Sequence, residues 1–216
     1  MTPSYDFAVC YAAALEGRGL PDTIAGRTVA HIQTGVGPVN AAHAVTRFLM
    51  ENSVGALIVC GVGGAYPGSG LTTASVVCAD SETYGDLGAE SPDGFLDMQA
   101  LGFPVVGGPD PLFNRLPLDL FPAARRVPFV TCATCTGTDA KAAAIVARTG
   151  GAVESMEGAA VVHVARLMGV KVGEVRGISN AVGNRDRAAW RLEEAAAAAR
   201  TAVINWIEEH GGIAGC

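Results

Sequence analysis

The sequence has no run of basic residues. Its 15 lysines and arginines are outnumbered by 21 aspartates and glutamates, which gives a formal net charge of −6 at pH 7. The dense charge cluster that begins at Arg185 and ends at Arg191 also contains Asp186. Because a protein that binds the phosphate backbone of DNA or RNA needs a basic face, we expect no nucleic-acid partner.

Long apolar segments are also missing. Glycine or a charged residue interrupts every apolar run well short of the ~18 residues that a membrane span requires. No lysine or arginine followed by a long apolar stretch stands near residue 1, so we expect neither a signal peptide nor a membrane partner. These absences predict a cytoplasmic protein.

The cysteines lack the companions that a metal or redox site needs. Six are present, and in a chain that is not secreted we expect them to be reduced. Cys132 and Cys135 form a C-x-x-C pair, but no second pair exists and the nearest histidine is His163. Since a structural zinc ion takes four such ligands, the pair does not favour a zinc centre. We expect no metal and no organic cofactor.

What the sequence does contain is an alternation of β-rich and helical segments over 216 residues, half of them hydrophobic. Strands are predicted at 7–11, 28–34, 56–60, 75–79, 126–131 and 171–178. Helices are predicted at 39–51, 139–148, 156–168 and 187–209. This order is typical of an α/β fold with three layers, αβα, around a central mixed, largely parallel β-sheet. With no linker in sight, we expect a single domain over 1–216.

Residues 84–122 break the alternation. They are rich in glycine, proline and aspartate, and the composition predicts a long irregular excursion. Long loops inside compact domains are usually functional or lie at interfaces. We therefore expect this excursion to serve a site or a contact between subunits.

Two glycine-rich segments follow predicted strands. In Gly-Val-Gly-Pro-Val-Asn at 35–40, the third glycine of a dinucleotide-binding fingerprint is replaced by Asn40, and in 61–67 Pro67 prevents an immediate helix. Neither segment is followed by the acidic residue that holds a ribose hydroxyl, so a dehydrogenase is not favoured. Two interpretations stay open: backbone N–H groups that bind an anion or a sugar oxygen, or tight turns that need small residues.

Three side chains have the chemistry to hold a nucleoside. Met156 and Glu157 stand at the predicted mouth of a helix, and Asn180 ends an apolar strand. Glu157 would bind vicinal hydroxyls, Met156 would lie under the ring, and Asn180 would meet the edge of the base. Glu16 follows the first strand, where open α/β sheets bind ligands. The alternatives are a solvated surface glutamate for Glu16 and a partner of the helix dipole for Glu157.

Five ordered motifs resemble the nucleoside phosphorylase and nucleosidase superfamily over residues 7–209. They are Ala-Ala-x-Leu-Glu at 12–16, Thr-Gly-Val-Gly at 34–37, Cys-Gly-Val-Gly-Gly at 60–64, Val-Glu-Ser-Met-Glu-Gly-Ala-Ala at 153–160 and Val-Arg-Gly-Ile-Ser-Asn at 175–180. Ile-Ser-Asn-x-Val-Gly-Asn-Arg-Asp-Arg-x-x-Trp at 178–190 looks like the futalosine hydrolases of the alternative menaquinone pathway. The resemblance implies a nucleoside phosphorylase-like fold and a small-molecule nucleoside substrate.

The resemblance also implies roles for individual residues. Glu16 matches the glutamate that activates water in the related methylthioadenosine/S-adenosylhomocysteine nucleosidases, and Asn180 falls where those adenine-specific enzymes carry an aspartate. The residues that it implies for substrate binding are Met156 and Glu157 at the ribose, Thr134 and Cys135 beside the base, and Gly64 in the glycine-rich segment. Thr134 and Cys135 differ from the side chains found there in the relatives, and we expect Cys135 to act through its backbone.

Departures from the superfamily pattern favour water over phosphate as the nucleophile. Phosphorylases bind phosphate with a hydroxyl residue in the second glycine segment and with arginines, but this chain has Val62 there, and Pro38 and Asn40 in the first segment. A phosphate dianion needs charge-assisted donors. An amide at 180 can donate to O6 of hypoxanthine and engage a protonated N7, which favours a 6-oxopurine over adenine.

The sequence therefore predicts hydrolysis of futalosine to hypoxanthine and a dehypoxanthinyl sugar derivative. Open alternatives are a phosphorylase of inosine-like nucleosides, a methylthioadenosine/S-adenosylhomocysteine-type nucleosidase, and a module that binds nucleosides without turnover. For Arg176 a structural ion pair is favoured over a supporting contact to a carboxylate of the site. Arg185, Arg187 and Trp190 are interpreted as a cap, as contacts to the 5′ substituent or as an ordinary helix N-terminus. The superfamily implies a homodimer or larger homo-oligomer, in which Phe95, Leu96 or Phe103 is expected at the contact.

Overall fold

Eleven strands and six α-helices alternate along residues 2–210, the part of the chain that the computed structural model describes. The strands are β1 Ser4–Tyr11, β2 Thr23–Ile24, β3 Arg27–Gln33, β4 Ser53–Ala65, β5 Val76–Tyr84, β6 Gly88–Ser91, β7 Gly94–Asp97, β8 Arg115–Pro117, β9 Arg126–Thr131, β10 Val153–Ser155 and β11 Lys171–Ala181. The helices are α1 Ala14–Gly17, α2 Pro38–Glu51, α3 Met98–Leu101, α4 Asp139–Thr149, α5 Gly158–Met168 and α6 Leu192–His210, with a short 3-10 helix at Arg187–Ala189. Over the same span, none of the helices combines the length and the hydropathy needed to cross a bilayer.

One mixed sheet contains every strand except β6 and β7. Its order is β10-β9-β5-β11-β4-β1-β3-β2, and β8 pairs with β5. Five of its pairings are parallel and four are antiparallel. β10 pairs with β9 and also with the last two residues of β4, so the sheet curls back on itself. The mixed α/β architecture expected from the sequence is confirmed.

Alternating apolar residues along the central strands build a core on each face of the sheet. In β1, Ala8 and Cys10 belong to the core that α2 and α5 cover, whereas Phe7 and Val9 belong to the core that α6 covers. Successive side chains of a strand point to opposite faces, so an apolar run such as this one buries both of them. This packing explains why the central strands are continuous in hydrophobicity and why helices lie on both sides.

The predicted elements are confirmed in position, with changes at their ends. β5 continues past residue 79 to Tyr84, and α5 begins at Gly158 instead of residue 156. The helix predicted from residue 187 is wrong at its start, since only a 3-10 turn forms there before α6 begins at Leu192. The segment 61–64, predicted as a turn, lies inside β4 because that strand continues to Ala65.

The excursion at 84–122 has more order than its composition suggests. β6 and β7 form an antiparallel hairpin of their own, α3 follows directly, and β8 returns to the main sheet beside β5. The prediction of an irregular segment is therefore wrong for these parts. Asn114 links them, because its amide donates to the carbonyls of Tyr84 and Leu87 and accepts from the backbone of Met98. These hydrogen bonds of Asn114 offset the weak propensity of this glycine- and proline-rich segment for regular secondary structure.

Candidate active site

A cavity of about 330 Å³ opens at the edge of the sheet where the carboxyl ends of β1, β4 and β11 meet. These three strands run parallel, so the segments that follow them lie together, which is the usual ligand position in an open α/β sheet. Most of the predicted site residues line this cavity: Glu16, Gly64, Cys135, Met156, Glu157 and Asn180.

Glu16 lies in the one-turn helix α1, at the base of the cavity, and it is buried. Its Oε2 accepts hydrogen bonds from the backbone N–H groups of Ala12 and Ala13, each at 2.9 Å, and its Oε1 accepts from the N–H of Val62 at 2.9 Å. The interpretation of Glu16 as a solvated surface residue is thus wrong. Three donors occupy three of the four lone-pair sites of the carboxylate and fix its orientation.

The glycines of β4 permit a close approach of side chains from other segments. A Cβ atom at Gly61 would collide with Oε1 of Glu16 and lie 2.6 Å from Nη1 of Arg176, and one at Gly64 would lie 3.1 Å from Nδ2 of Asn180. Neither glycine has a positive φ angle. Glycine is therefore needed at 61 and 64 for close packing inside a strand, which neither earlier interpretation gave, whereas a tight turn explains Gly35 and Gly37, whose φ angles are 82° and 94°.

Glu157 is the N-cap of α5 and is buried beside the cavity. Its Oε1 accepts from the N–H of Gly37 at 2.9 Å, and its Oε2 lies 3.9 Å from Nη1 of Arg176. Burial raises the pKa of this carboxyl, and the Arg176 charge and the Gly37 hydrogen bond oppose that rise. The anion held by the first glycine segment is therefore a side chain of the protein itself.

Met156 and Cys135 lie together on another wall, with the Cys135 thiol 3.2 Å from Sδ of Met156. Cys135 and Cys132 are both free thiols. Thr134, in contrast, is exposed, and the backbone N–H of Ala133 before it donates to Asp86 at 2.8 Å. Thr134 does not line the cavity, whereas Thr136 and Cys135 do. The contact of Thr134 with the base stays a prediction.

Asn180 owes its position to an irregularity in β11. The register between β11 and β4 shifts between Ile178 and Asn180, so Ser179 is an extra residue in the strand. Such bulges re-aim side chains near active sites. Oδ1 of Asn180 accepts from the Ser179 hydroxyl at 2.8 Å, and its Nδ2 donates to the carbonyl of Ala181 at 2.9 Å. One N–H and one lone pair of the amide are thereby left for a ligand.

A hydrogen-bonded cluster that the sequence did not indicate forms the far wall. Oε2 of Glu154 accepts from the hydroxyls of Tyr66 and Thr136, each at 2.5 Å, and its Oε1 accepts from the N–H of Thr136 at 2.9 Å. Burial and the Glu154 charge raise the pKa of Tyr66, which keeps its hydroxyl a donor. Only the proximity of Glu154 to Glu157 in sequence pointed to this wall.

The charges around the cavity are mostly negative. Glu16, Glu154 and Glu157 line it, and Arg185 is the one cationic residue among the described lining residues. The Arg185 guanidinium lies over the ring of Trp190 at 4.9 Å, at the rim. Arg176 is buried behind the wall and donates through Nε to Glu174 at 2.7 Å. The structural ion pair expected for Arg176 is confirmed, although its Nη1 also reaches toward Glu157.

The chain is similar to known proteins over most of its length. A model of the phosphorylase superfamily matches residues 16–208. The chain is 35% identical to a futalosine hydrolase of Thermus thermophilus over 209 aligned residues, covering 93% of this chain and 88% of that relative. It is 42% identical to a futalosine hydrolase of Streptomyces coelicolor over 180 residues, which cover 80% and 75%. Among solved structures, a 5′-methylthioadenosine/S-adenosylhomocysteine nucleosidase from Neisseria meningitidis in complex with methylthio-immucillin-A matches with a TM-score of 0.80 at 18% identity, covering 97% of this chain and 100% of that one.

Proposed function

This chain belongs to the phosphorylase superfamily and, within it, to the futalosine hydrolase family, and from that membership we propose that it hydrolyses the N-glycosidic bond of futalosine. The products are hypoxanthine and dehypoxanthine futalosine, in menaquinone biosynthesis by the futalosine route. Water is the second substrate, and the reaction draws on side chains alone.

The charge of the cavity is the observation that carries this proposal. Three carboxylates line it, and the Val62 side chain stands where the superfamily's phosphorylases place a hydroxyl. Arg176, the nearest buried cation, already pairs with Glu174. A phosphate dianion beside the carboxylates would meet uncompensated negative charge, because it requires charge-assisted donors, and the one that the described lining offers is Arg185 at the rim. A neutral water molecule meets no such cost, which supports hydrolysis over phosphorolysis.

We propose Glu16 as the general base. As the oxygen of water bonds to C1′ of the ribose, Glu16 takes a proton from it, and the bond between C1′ and N9 breaks. The electron pair of that bond leaves with the purine, which takes up a proton at N7 from solvent water. Glu16 then returns its proton to solvent, so that overall one water molecule supplies the OH on the sugar and the H on the base. The three backbone donors hold the Glu16 carboxylate in place and leave one lone-pair site open for water. Because the carboxylate is already oriented, the reaction step does not have to supply the entropy of orienting it.

Glu157 is proposed to bind the ribose hydroxyls. Its Oε1 is held by the N–H of Gly37, and further lone pairs remain available for hydroxyl donors. As the glycosidic bond stretches, positive charge grows on the ribose, and the carboxylates of Glu157 and Glu16 stabilise it in a water-poor site. Met156 supplies apolar contact under the sugar ring beside them.

Asn180 is proposed to recognise the purine. Its free N–H would donate to O6, and its free lone pair would accept from the protonated N7. A protonated N7 makes hypoxanthine a better leaving group, because the purine then departs as a neutral molecule. An adenine would present a 6-amino donor to the amide N–H, which is the unfavourable match that discriminates between the two bases.

The rim pair Arg185 and Trp190 is proposed to hold the 5′ substituent. In futalosine this substituent bears a benzoate, which combines an aromatic ring with a carboxylate. Trp190 offers a flat apolar face and Arg185 offers a planar donor pair for a carboxylate, and the two lie together at the cavity mouth. This pair therefore supports an anionic, extended nucleoside as the substrate.

The decisive experiment measures hypoxanthine release from futalosine by the purified protein, with and without inorganic phosphate. We expect full release in phosphate-free buffer and no gain on addition of phosphate. Release that depends on phosphate would assign a phosphorylase, and saturable binding of futalosine without release would assign a binding module. Inosine and methylthioadenosine serve as comparison substrates, and we expect both to react more slowly because neither carries a carboxylate for Arg185.

Four further features of the protein are proposed from its sequence and from the resemblance. A single domain over 1–216, a sheet that is largely parallel within three layers, a cytoplasmic location and a homo-oligomeric assembly all stay predictions. Each is compatible with the proposed reaction, which needs only the residues around the cavity.

A further inference from the structure

Three buried ionisable side chains lie directly behind the site without a part in the proposed chemistry. Glu82 on β5 and Glu174 on β11 are 0% exposed, and Arg176 is 2% exposed. Buried charges are costly unless they are paired and hydrogen-bonded. Two carboxyls against one guanidinium leave an excess negative charge in a region that water does not reach, and this excess calls for an explanation.

The two carboxyls meet beneath the first residue of α5. A Cβ atom at Gly158 would collide with Oε1 of Glu82 and with both carboxyl oxygens of Glu174, one of them at 2.6 Å. Glycine is required at this position because the carboxyls occupy the space of its side chain. Two carboxylates that crowd the same Cβ position repel each other strongly when both are ionised. One carboxyl of such a pair therefore normally keeps its proton.

The hydrogen bonds around the pair indicate which oxygen carries the proton. Oε2 of Glu82 accepts from the Thr131 hydroxyl at 3.0 Å, and that hydroxyl in turn accepts from the N–H of Ala159. The Thr131 hydroxyl lies closer to Oε2 of Glu82 than to its other possible acceptor, the Ser155 hydroxyl at 3.3 Å, so we take Thr131 to donate to Glu82 and Oε2 to be the acceptor. Oε1 of Glu82 faces Glu174 and has only a long contact, 3.5 Å, with the Ser155 hydroxyl. Oε2 of Glu174 is a buried oxygen without a donor among the described residues.

Glu174 is the member of the pair that contacts a cation. Its Oε1 accepts a charge-assisted hydrogen bond from Nε of Arg176 at 2.7 Å. Burial raises the pKa of Glu82 well above its usual range, and the charge of Glu174 raises it further. The other groups that face Glu82 are the Ser155 hydroxyl on β10 and Tyr84 on its own strand, whose hydroxyl lies 3.2 Å from Nδ1 of His163 on α5. Among these groups, Arg176 is the one positive charge that acts on Glu82.

We propose that Glu82 is a carboxylic acid that donates from Oε1 to Oε2 of Glu174, and that this pair is a positioning device for Arg176. The shared proton leaves the pair with one negative charge, which matches the single charge of Arg176. Arg176 is thereby held with Nη1 3.2 Å from the carbonyl of Val62 and 3.9 Å from Glu157. Glu157 consequently keeps its carboxylate free for a ligand instead of forming a tight ion pair.

A neutral Glu82 and a charged Glu174 respond differently to the same chemical change. Glu82→Gln replaces a neutral acid by a neutral amide that can still donate to Glu174, so turnover and its pH dependence should stay close to those of the unaltered protein. Glu174→Gln removes a negative charge that raises the pKa of Glu157. The acidic limb of kcat/KM should move to lower pH, and kcat should fall by up to about 10²-fold because Arg176 loses its anchor.

Infrared spectroscopy tests the proton directly. At neutral pH the protein should show the C=O stretch of a protonated carboxylic acid, and the difference spectrum against Glu82→Gln should assign that band to Glu82. Glu51→Gln, at an exposed glutamate, is the matched control and should leave the band unchanged.

Two outcomes would overturn the proposal: absence of the acid band, or a Glu82→Gln variant as impaired as Glu174→Gln. The infrared comparison needs no Glu174 variant and no substrate, so it decides the proton's position even if Glu174→Gln does not fold. The kinetic part rests on the proposed function. If the protein shows the acid band but releases no hypoxanthine, the proposal of a proton shared by Glu82 and Glu174 stands and the proposed reaction is wrong.

Discussion

Glu16 and Arg176 approach each other across Gly61, so closely that the space for a Cβ atom on this glycine is already filled by Oε1 of the glutamate and Nη1 of the arginine. Because Gly61 has no side chain, the carboxylate of Glu16 and the guanidinium of Arg176 can both lie beside its Cα atom. The same arrangement makes Gly61 a position where a single methyl group tests the geometry of the site.

We expect Gly61→Ala to displace Glu16 and Arg176. Overpacking of this kind costs about 1–3 kcal/mol of unfolding free energy, and a shift of ~1 Å at a catalytic group lowers turnover by about 10²-fold. Urea unfolding and kcat on futalosine measure the two effects. Gly107→Ala is the control, since a Cβ there meets nothing within 4 Å and the φ angle is unstrained. A fully active Gly61→Ala protein would show that the close approach is unimportant.

Glu16→Gln should lower turnover by about 10²–10⁴-fold, the usual contribution of a general base. The introduced amide also places an N–H₂ group against a backbone N–H that Glu16 now accepts from, so stability should fall by about 1–3 kcal/mol. Turnover and urea unfolding are measured together on this variant and on Glu51→Gln, an exposed control. Turnover near that of the control protein would remove Glu16 from the mechanism.

Glu157 should set the acidic limb of the pH profile. Its pKa is raised by burial, so its carboxylate is lost at a higher pH than that of an ordinary glutamate. As the pH falls through this raised pKa, the side chain is protonated, ribose binding weakens and kcat/KM declines. Glu157→Gln should raise KM and abolish this limb. A limb that persists unchanged in the variant would belong to another group.

Asn180→Asp should reverse the preference for the base. A carboxylate would face O6 of hypoxanthine with like polarity, an unmatched buried pair that costs ~1–3 kcal/mol and more when charged. The 6-amino analogue of futalosine would instead gain an acceptor. We would compare kcat/KM on both substrates, with Asn205→Asp on the exposed side of α6 as the control. An unchanged preference would mean that Asn180 does not read the base.

The excursion should contribute to a contact between subunits. Phe103 is 63% exposed and Leu96 is 38% exposed, while the Phe95 ring is covered on one side by the Arg148 guanidinium at 4.4 Å. Exposed apolar groups of this size are stabilised by a partner surface. Light scattering should reveal a dimer or larger assembly, and Phe103→Ser should weaken it. A protein that is monomeric at micromolar concentration would contradict the expectation.

Local sequence patterns alone were sufficient to predict the central strands and helices and to select several site residues by their chemistry. Apolar runs predicted β1, β4, β9 and β11 because both faces of the sheet are buried, and the helix periods predicted α2 and α4 nearly to the residue. Glu16, Glu157 and Asn180 could be singled out because each is a polar residue at the end of an apolar element. These signals are short-range, and a sequence displays them directly.

Tertiary structure decided how distant segments complete one another. The N–H of Gly37 reaches the Glu157 carboxylate 120 residues away, and Glu154 finds Tyr66 and Thr136 only because β10 closes on both β9 and β4. Glu82 lies beyond residue 79, the predicted end of its strand, yet it is buried completely. Whether a charged residue is buried depends on partners elsewhere in the chain that bring a proton, a hydroxyl or a counter-charge to it. For that reason the pair of carboxyls beneath α5, Glu82 and Glu174, could be recognised only in the folded protein.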